Sequence, residues 1–127
     1  MSTLWQEFRR RRTRQNVAVL DTGFIGYRRF LALDGTAYED GALPRTVKEL
    51  MGLVASLVLR CNDCILYHLD QALRCGATRQ QVYEALNIGL IVGGSIVIPH
   101  LRYALEALEE WQPEEEPTDA AHPSPGS

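Results

Sequence analysis

The run Cys61-Asn62-Asp63-Cys64-Ile65-Leu66-Tyr67-His68-Leu69-Asp70-Gln71-Ala72-Leu73-Arg74-Cys75-Gly76 decides how this chain folds. Cys61, Cys64, Ile65, His68, Leu69 and Ala72 recur at intervals of three and four residues, so they form one stripe of a helix. Gly76 is the residue type that favours the end of one. Both cysteines and His68 then share a face.

The same period extends outward in both directions. Val47, Leu50, Met51, Val54, Leu57 and Val58 predict a helix over residues 44–60, with Pro44 where a first turn tolerates it. Thr78 with Gln81 resembles a capping box that opens a helix over 79–92, carrying Val82, Leu86 and Ile88 through Leu90 inward. Gly93 and Gly94 break the chain there. A last helix is expected over 95–111, striped by Ile98, Leu101, Leu105 and Leu108, with Pro99 confined to its first turns. Toward the N-terminus, 23–33 reads as helix and 34–43 as loop, because Asp34-Gly35 and Asp40-Gly41 are turn signals. No internal repeat and no alternating run argues for a sheet, so the fold class is all-α. The apolar run within 96–101 hardly distinguishes its faces, which predicts cover by another subunit.

Length and composition set the frame. A chain of 127 residues, 46% hydrophobic, has material for one ordinary core. The expectation is a single helical domain over 1–112 with an Arg-rich N-terminal arm and a core motif over 43–108, followed by a disordered tail over 113–127. That tail holds Pro113, Pro117, Pro123 and Pro125 among acids and small polar residues. The net charge of -3 conceals an asymmetry: Arg9, Arg10, Arg11, Arg12 and Arg14 sit at one end, and seven of the 16 acids lie between Glu106 and Asp119. A pI near 5.6 and the lack of aromatics among the arginines argue against nucleic acid. Pairing of the two termini is another use for such charges.

The longest nearly apolar stretch, 88–98, has 11 residues and three glycines. A bilayer needs about 20, so no membrane span is expected. Residues 5–12 are polar where a secretory signal would be apolar, and a cytoplasmic location is expected. In that reducing compartment, three cysteines point to redox, catalytic or metal chemistry rather than a disulfide framework.

On a helix Cys61 neighbours Cys64, and Cys64 neighbours His68. Two thiols so spaced near a helix N-terminus can close a disulfide, and the helix dipole favours the reactive thiolate. His68 can accept the thiol proton, giving the nucleophile and base needed to attack a peroxide or a disulfide sulfur. Glu49, 12 residues before Cys61, can orient that base if the two helices pack antiparallel. Cys75 lies 11 residues beyond Cys64, roughly 16 Å along a helix, and reads as a small core residue that cannot bond to it. His100 divides between packing and lining the site, and His122 sits inert in the tail. Two thiolates with His68 and either Glu49 or His100 would supply zinc ligands, but zinc sites generally draw on two ligand pairs and one is present. No metal and no cofactor is expected.

These residues resemble the alkylhydroperoxidase D-like, or carboxymuconolactone decarboxylase, family over about residues 43–108. The likeness rests on a Glu, 11 residues, then Cys-x-x-Cys-x-x-x-His, here Glu49, Cys61, Cys64 and His68. Ala72-Leu73-Arg74-Cys75-Gly76-Ala77-Thr78, Gly93-Gly94-Ser95 and Ile98-Pro99-His100 stand in register with it. The resemblance implies a helical subunit in homo-oligomers, commonly trimers or hexamers, acting as a thiol-dependent peroxidase on a hydroperoxide with an external dithiol as reductant. By position it makes Cys64 the attacking thiolate, Cys61 the resolving thiol, and Glu49 and His68 the proton relay, with His100, Asp63 and Tyr67 as site-lining candidates. Where the alkylhydroperoxidase pattern has a second His before the later Cys, this chain has Asp63, whose charge raises a neighbouring thiol's pKa unless it turns to solvent or caps the helix. Two rivals stand beside this reading. One is a decarboxylase-like carbon-acid enzyme using His68, His100 and Glu49 without thiol redox. The other is a non-enzymatic redox-sensing or zinc-binding interaction protein.

Overall fold

A computed structural model describes residues 3–114, all of them helix, turn or connecting chain with no strand among them. They fall into two compact units, one of residues 3–39 with 112–114, the other of Asp40–Trp111. The expected tail over 113–127 lies outside the described residues from residue 115 onward, and His122 with it.

In the first unit, α1 (Leu4–Asp21) opens on a capping box. Gln6 donates its N–H to Thr3 Oγ1 at 3.1 Å, and Thr3 donates its own to Gln6 Oε1 at 3.0 Å, satisfying two donors a helix start leaves orphaned. The arginine-rich run is therefore regular helix. Gly23, at a φ of 72°, ends α1 in the left-handed region and so belongs to the turn rather than to the helix expected from residue 23. Helix α2 (Ile25–Ala37) then runs past the loop start expected at residue 34. An interior glycine costs a helix only about 1 kcal/mol, so Asp34-Gly35 weakens the helix without stopping it. The chain leaves the helix at Tyr38 instead.

In the second unit, α3 (Arg45–Val58), α4 (Asn62–Arg74) and α5 (Arg79–Gly93) stand where helices were expected, but α3 buries Glu49, Leu53, Ser56 and Leu57 while Val47 and Met51 of its expected stripe are exposed, as is Ile88 of α5, because the face that meets α4 and α5 is rotated from the one the apolar spacing suggests. Helix α3 packs most extensively on α4 and α5, burying Leu53 and Leu57 against a core that includes Ile65, Leu69, Val82 and Leu86. Each such side chain contributes roughly 1.5–3 kcal/mol of transfer free energy. Thr78 and Gln81 form the expected capping box of α5. The last segment opens differently from the expected continuous helix. Residues Ser95–Val97 make a 3₁₀ turn, and α6 (Ile98–Glu109) starts only afterwards, without a side-chain cap and with Pro99 in its first turn. Gly94, at a φ of 77°, makes the corner between α5 and that turn.

Two helix ends frame α4. Before it, Arg60 adopts a φ of 60°. Its N–H donates to Leu57 O at 3.0 Å and that of Cys61 to Ser56 O at 3.1 Å, a pair of bonds that closes α3 and turns the chain sharply into α4. After it, Gly76 repeats the arrangement, with Gly76 N–H on Leu73 O at 3.1 Å and Ala77 N–H on Ala72 O at 2.9 Å. Asp70, buried on α4, accepts from the indole N–H of Trp111 at 2.9 Å and so ties the chain beyond α6 to the core. Among the described residues no helix is long and apolar enough to cross a membrane.

Candidate active site

The tight turn at Arg60 delivers Cys61 to the position just before α4. Its sulfur there stands in for the usual capping oxygen, accepting the backbone N–H of Cys64 at 3.2 Å. Cys61 and Cys64 are joined as a disulfide with their Cα atoms 5.3 Å apart. Cys64 is an exposed residue and Cys61 a half-buried one. Asp63, also exposed, lies in the first turn of α4, where a negative charge meets the positive end of the helix dipole.

One turn further along, His68 turns toward α3. Its Nδ1 lies 2.9 Å from Oε1 of Glu49, a carboxylate with no exposed surface. The approach needs Gly52: a Cβ at that position would come within 2.7 Å of the imidazole ring. Glycine here lets α3 and α4 close around the histidine. Tyr67, buried beside it, meets the His68 ring edge-on with centroids 5.1 Å apart. The structure thus brings Glu49 and His68 into contact, on a helix face that also carries the cysteine pair.

A buried carboxylate needs more than one partner. Oε2 of Glu49 receives Nε of Arg45 at 3.3 Å, one turn earlier on α3, and the same guanidinium donates to Oε1 of Gln71 on α4 at 3.1 Å. Burial works to lower the Arg45 pKa, but the charge of Glu49, with smaller help from Cys75 and Tyr67, more than offsets it and raises the value. The guanidinium stays charged. Arg45, Gln71 and Gly52 were not singled out from the sequence. The signal for Arg45 was present as an i, i+4 charge pair with Glu49; Gln71 and Gly52 look like ordinary helix residues until the two helices are seen together.

His100 reaches the start of α4 from α6, its Nδ1 2.8 Å from Oδ1 of Asn62. It therefore meets the residue that follows Cys61. Cys75, at the far end of α4, is a half-buried free thiol whose carbonyl accepts from Thr46 Oγ1 at 3.0 Å. Burial pushes its pKa up, Arg45 draws it down, and Glu49 and Asp40 add to the rise. Among the described residues no three His, Cys, Asp or Glu side chains gather as a metal site, and the zinc set weighed from the sequence is not assembled.

Residues 26–110 match the carboxymuconolactone decarboxylase family. An uncharacterized protein of Cupriavidus necator is 44% identical over 72 residues, 57% of this chain and 61% of that protein, so the match spans less than two thirds of its length. An uncharacterized protein of the Paracoccus denitrificans cox locus is 35% identical over 81 residues, 64% of this chain and 73% of that protein. A Thermotoga maritima crystal structure superposes with a TM-score of 0.80 at 52% identity, covering 82% of this chain and 91% of that one. A second structure from that organism is described as a member of the same family with a suggested part in an antioxidative response. A Legionella pneumophila member of the family superposes with a TM-score of 0.78 at 28% identity, over 86% of this chain and 97% of that one.

Proposed function

The chain belongs to the carboxymuconolactone decarboxylase family, and from that premise we propose that it is a thiol-dependent oxidoreductase that reduces hydroperoxides through Cys61 and Cys64. The observation that carries this reading is the contact between buried Glu49 and His68, one helical turn from a cysteine pair already in disulfide register at the start of α4.

In the reduced protein the Cys64 thiolate attacks the distal oxygen of the hydroperoxide. The sulfur takes that oxygen to become a sulfenic acid, the O–O bond breaks, and the departing alkoxide takes a proton from His68 to leave as the alcohol. Glu49 holds the imidazole through Nδ1, so that Nε2 is the nitrogen that gives and takes the proton. The Cys61 thiol then attacks the Cys64 sulfenic sulfur, forming the disulfide and releasing water. An external dithiol restores both thiols by exchange. The positive end of the α4 dipole favours a thiolate in the cysteine pair, and the order of the two sulfurs follows the family resemblance. Exposed Asp63, screened by solvent, opposes this only weakly.

Assembly with further copies of the chain, a trimer or hexamer, belongs to the same proposal and is supported by apolar side chains left open. Ile88, Ile91, Val92 and Ile96 of α5 and the turn after it are each more than half exposed, as are Phe24, Ile25, Tyr27, Phe30 and Leu33 around α2. A cytoplasmic setting, where dithiol reductants are plentiful, completes it.

The test is intact mass and peptide mapping of the reduced protein after one equivalent of an organic hydroperoxide, beside Cys61→Ser with a sulfenic-acid trap. The expected result is a loss of about two mass units mapped to Cys61 and Cys64, and trap on Cys64 in the variant. Unmodified thiols would overturn the proposal. Turnover of a lactone acid that survives replacement of both cysteines would transfer the site to the carbon-acid reading, and stoichiometric zinc lost on alkylation would transfer it to a metal-binding role.

A further inference from the structure

Two imidazoles meet α4 or stand on it, and the peroxide chemistry proposed above uses only His68. The other, His100, reaches over from α6, and the sequence fixes the corner it starts from. Gly94, at a φ of 77°, turns the chain out of α5. Val97 is fully buried, and a Cβ on Gly93 would come within 2.7 Å of its Cγ1. Pro99 in the first turn of α6 then presets the backbone one residue before His100. From that corner Nδ1 of His100 lies 2.8 Å from Oδ1 of Asn62, 38 residues back in the chain and in the same compact unit. An amide oxygen only accepts, so Nδ1 carries the proton.

Asn62 begins the turn that carries the reactive sulfurs. Asn62, Asp63 and Cys64 are all exposed, and the buried part of α4 starts at Ile65. While Cys61 and Cys64 are joined, the disulfide holds this turn. Once that bond opens, the cap left to it is the Cys61 sulfur, a weaker acceptor than the side-chain oxygen of Ser, Thr, Asp or Asn.

We propose that His100 is a positioning residue for the dithiol: by holding Asn62 it keeps the first turn of α4, and with it Cys61 and Cys64, in disulfide register while the bond between them is open. The role rests on the dithiol cycle proposed above and bears on one of its steps, the attack of the Cys61 thiol on the Cys64 sulfenic sulfur. There the S–S bond forms, the S–O bond breaks, and the Cys61 proton leaves with the hydroxyl as water. Closure is intramolecular, so its rate depends on how often the two sulfurs meet, and a small displacement of either is costly. The Asn62 contact and the disulfide constrain the same turn, and each makes the other easier to form. The two histidines thus divide the work. His68, held by Glu49, handles the proton of the attacking step, whereas His100, held at Asn62, acts on geometry and transfers no proton.

Partition of the sulfenic acid tests this. Reduced protein with both cysteines receives one equivalent of an organic hydroperoxide in the presence of a sulfenic-acid trap, and mass spectrometry reads the ratio of disulfide to trapped Cys64. That ratio reports closure alone, whatever the rate of peroxide attack. His100→Leu and Asn62→Ala are each expected to lower it about threefold to tenfold, the range one neutral hydrogen bond supplies, and the double variant no further than either. Asn62 is exposed, so its truncation leaves the core intact. His100→Asn, whose amide nitrogen stands where Nδ1 stood, is expected to recover most of the ratio, and His100→Gln, whose amide nitrogen stands where Nε2 stood, much less. The same tie is read without peroxide by equilibrating each protein with a glutathione buffer, where His100→Leu is expected to raise the proportion of dithiol to disulfide by a similar factor. A parent that yields neither disulfide nor trapped Cys64 would sink the peroxidase reading and leave the glutathione equilibrium to decide the role of His100. Values for His100→Leu and Asn62→Ala equal to the parent's, or losses that add in the double variant, would overturn that role.

Discussion

Arg45 shows how much of the candidate site rests on one side chain outside the cysteine motif. It joins α3 to α4 through Glu49 and Gln71, and it supplies the cation that a fully buried carboxylate requires. Replacing it with Met leaves Oε2 of Glu49 without that cation. Hydroperoxide-driven disulfide formation is expected to slow about tenfold or more in Arg45→Met, and Arg45→Lys to recover part of the rate as a point charge without the fork. Stopped-flow measurement of the reduced proteins, with circular dichroism to confirm the helices, checks this; an unchanged rate in Arg45→Met would detach Arg45 from the relay. Cys75 answers to its surroundings in the opposite sense. Burial, opposed by Arg45, raises its pKa, so the fold favours the neutral thiol. That contribution to stability is present in full below the unfolded value of about 8.5 and is lost as pH rises through the folded value. In the reduced protein iodoacetamide at neutral pH is expected to label Cys64 well before Cys75. The Cys75 labelling profile should reach its midpoint above that of an ordinary cysteine.

Helix ends, more than helix interiors, decide where the reactive groups stand. The turn between α3 and α4 is only three residues long and holds because Arg60 accepts a left-handed conformation that costs a side chain roughly 1–2 kcal/mol. Arg60→Gly removes that cost against a smaller loss of backbone entropy, so a gain of up to about 1 kcal/mol is expected. Arg60→Val should lose about as much or more, because β-branching suits this region least. Thermal melting of the two variants distinguishes them, and a gain in the valine protein would contradict the account of the turn. The same logic explains what the helical period could not reveal. Asp34-Gly35 carries a turn signature, yet α2 absorbs it, because a glycine lowers helix propensity without removing a hydrogen bond. Pro99 sits within an apolar run that reads as one helix, yet it lacks the N–H that would continue the ladder, and the chain enters α6 through a 3₁₀ turn.

At the scale of the whole molecule, the exposed apolar residues of α5 and α2 are the feature a lone subunit explains least, since scattered apolar residues are ordinary but contiguous ones are not. Ile91, 74% exposed, sits within the first of these groups. Ile91→Lys is expected to lower the assembled mass measured by light scattering while leaving the helical signal intact; a parent protein that already runs as a monomer would remove the assembly from the proposal. The amino-acid sequence by itself determined what depends on near neighbours. That includes the all-helical class, the positions of α3 through α5, the caps at Thr78 and Gly76, and a cysteine pair followed by a histidine on one face. These follow from a period of 3.6 residues and from bonds that span three or four positions. The tertiary structure alone decided which distant groups meet. Glu49 and His68 are 19 residues apart, Asn62 and His100 are 38 apart, and Asp70 and Trp111 are 41 apart. No local pattern encodes those pairings, because each exists only once packing sets the rotation and spacing of two helices, as Gly52 does by clearing the space that the His68 ring fills.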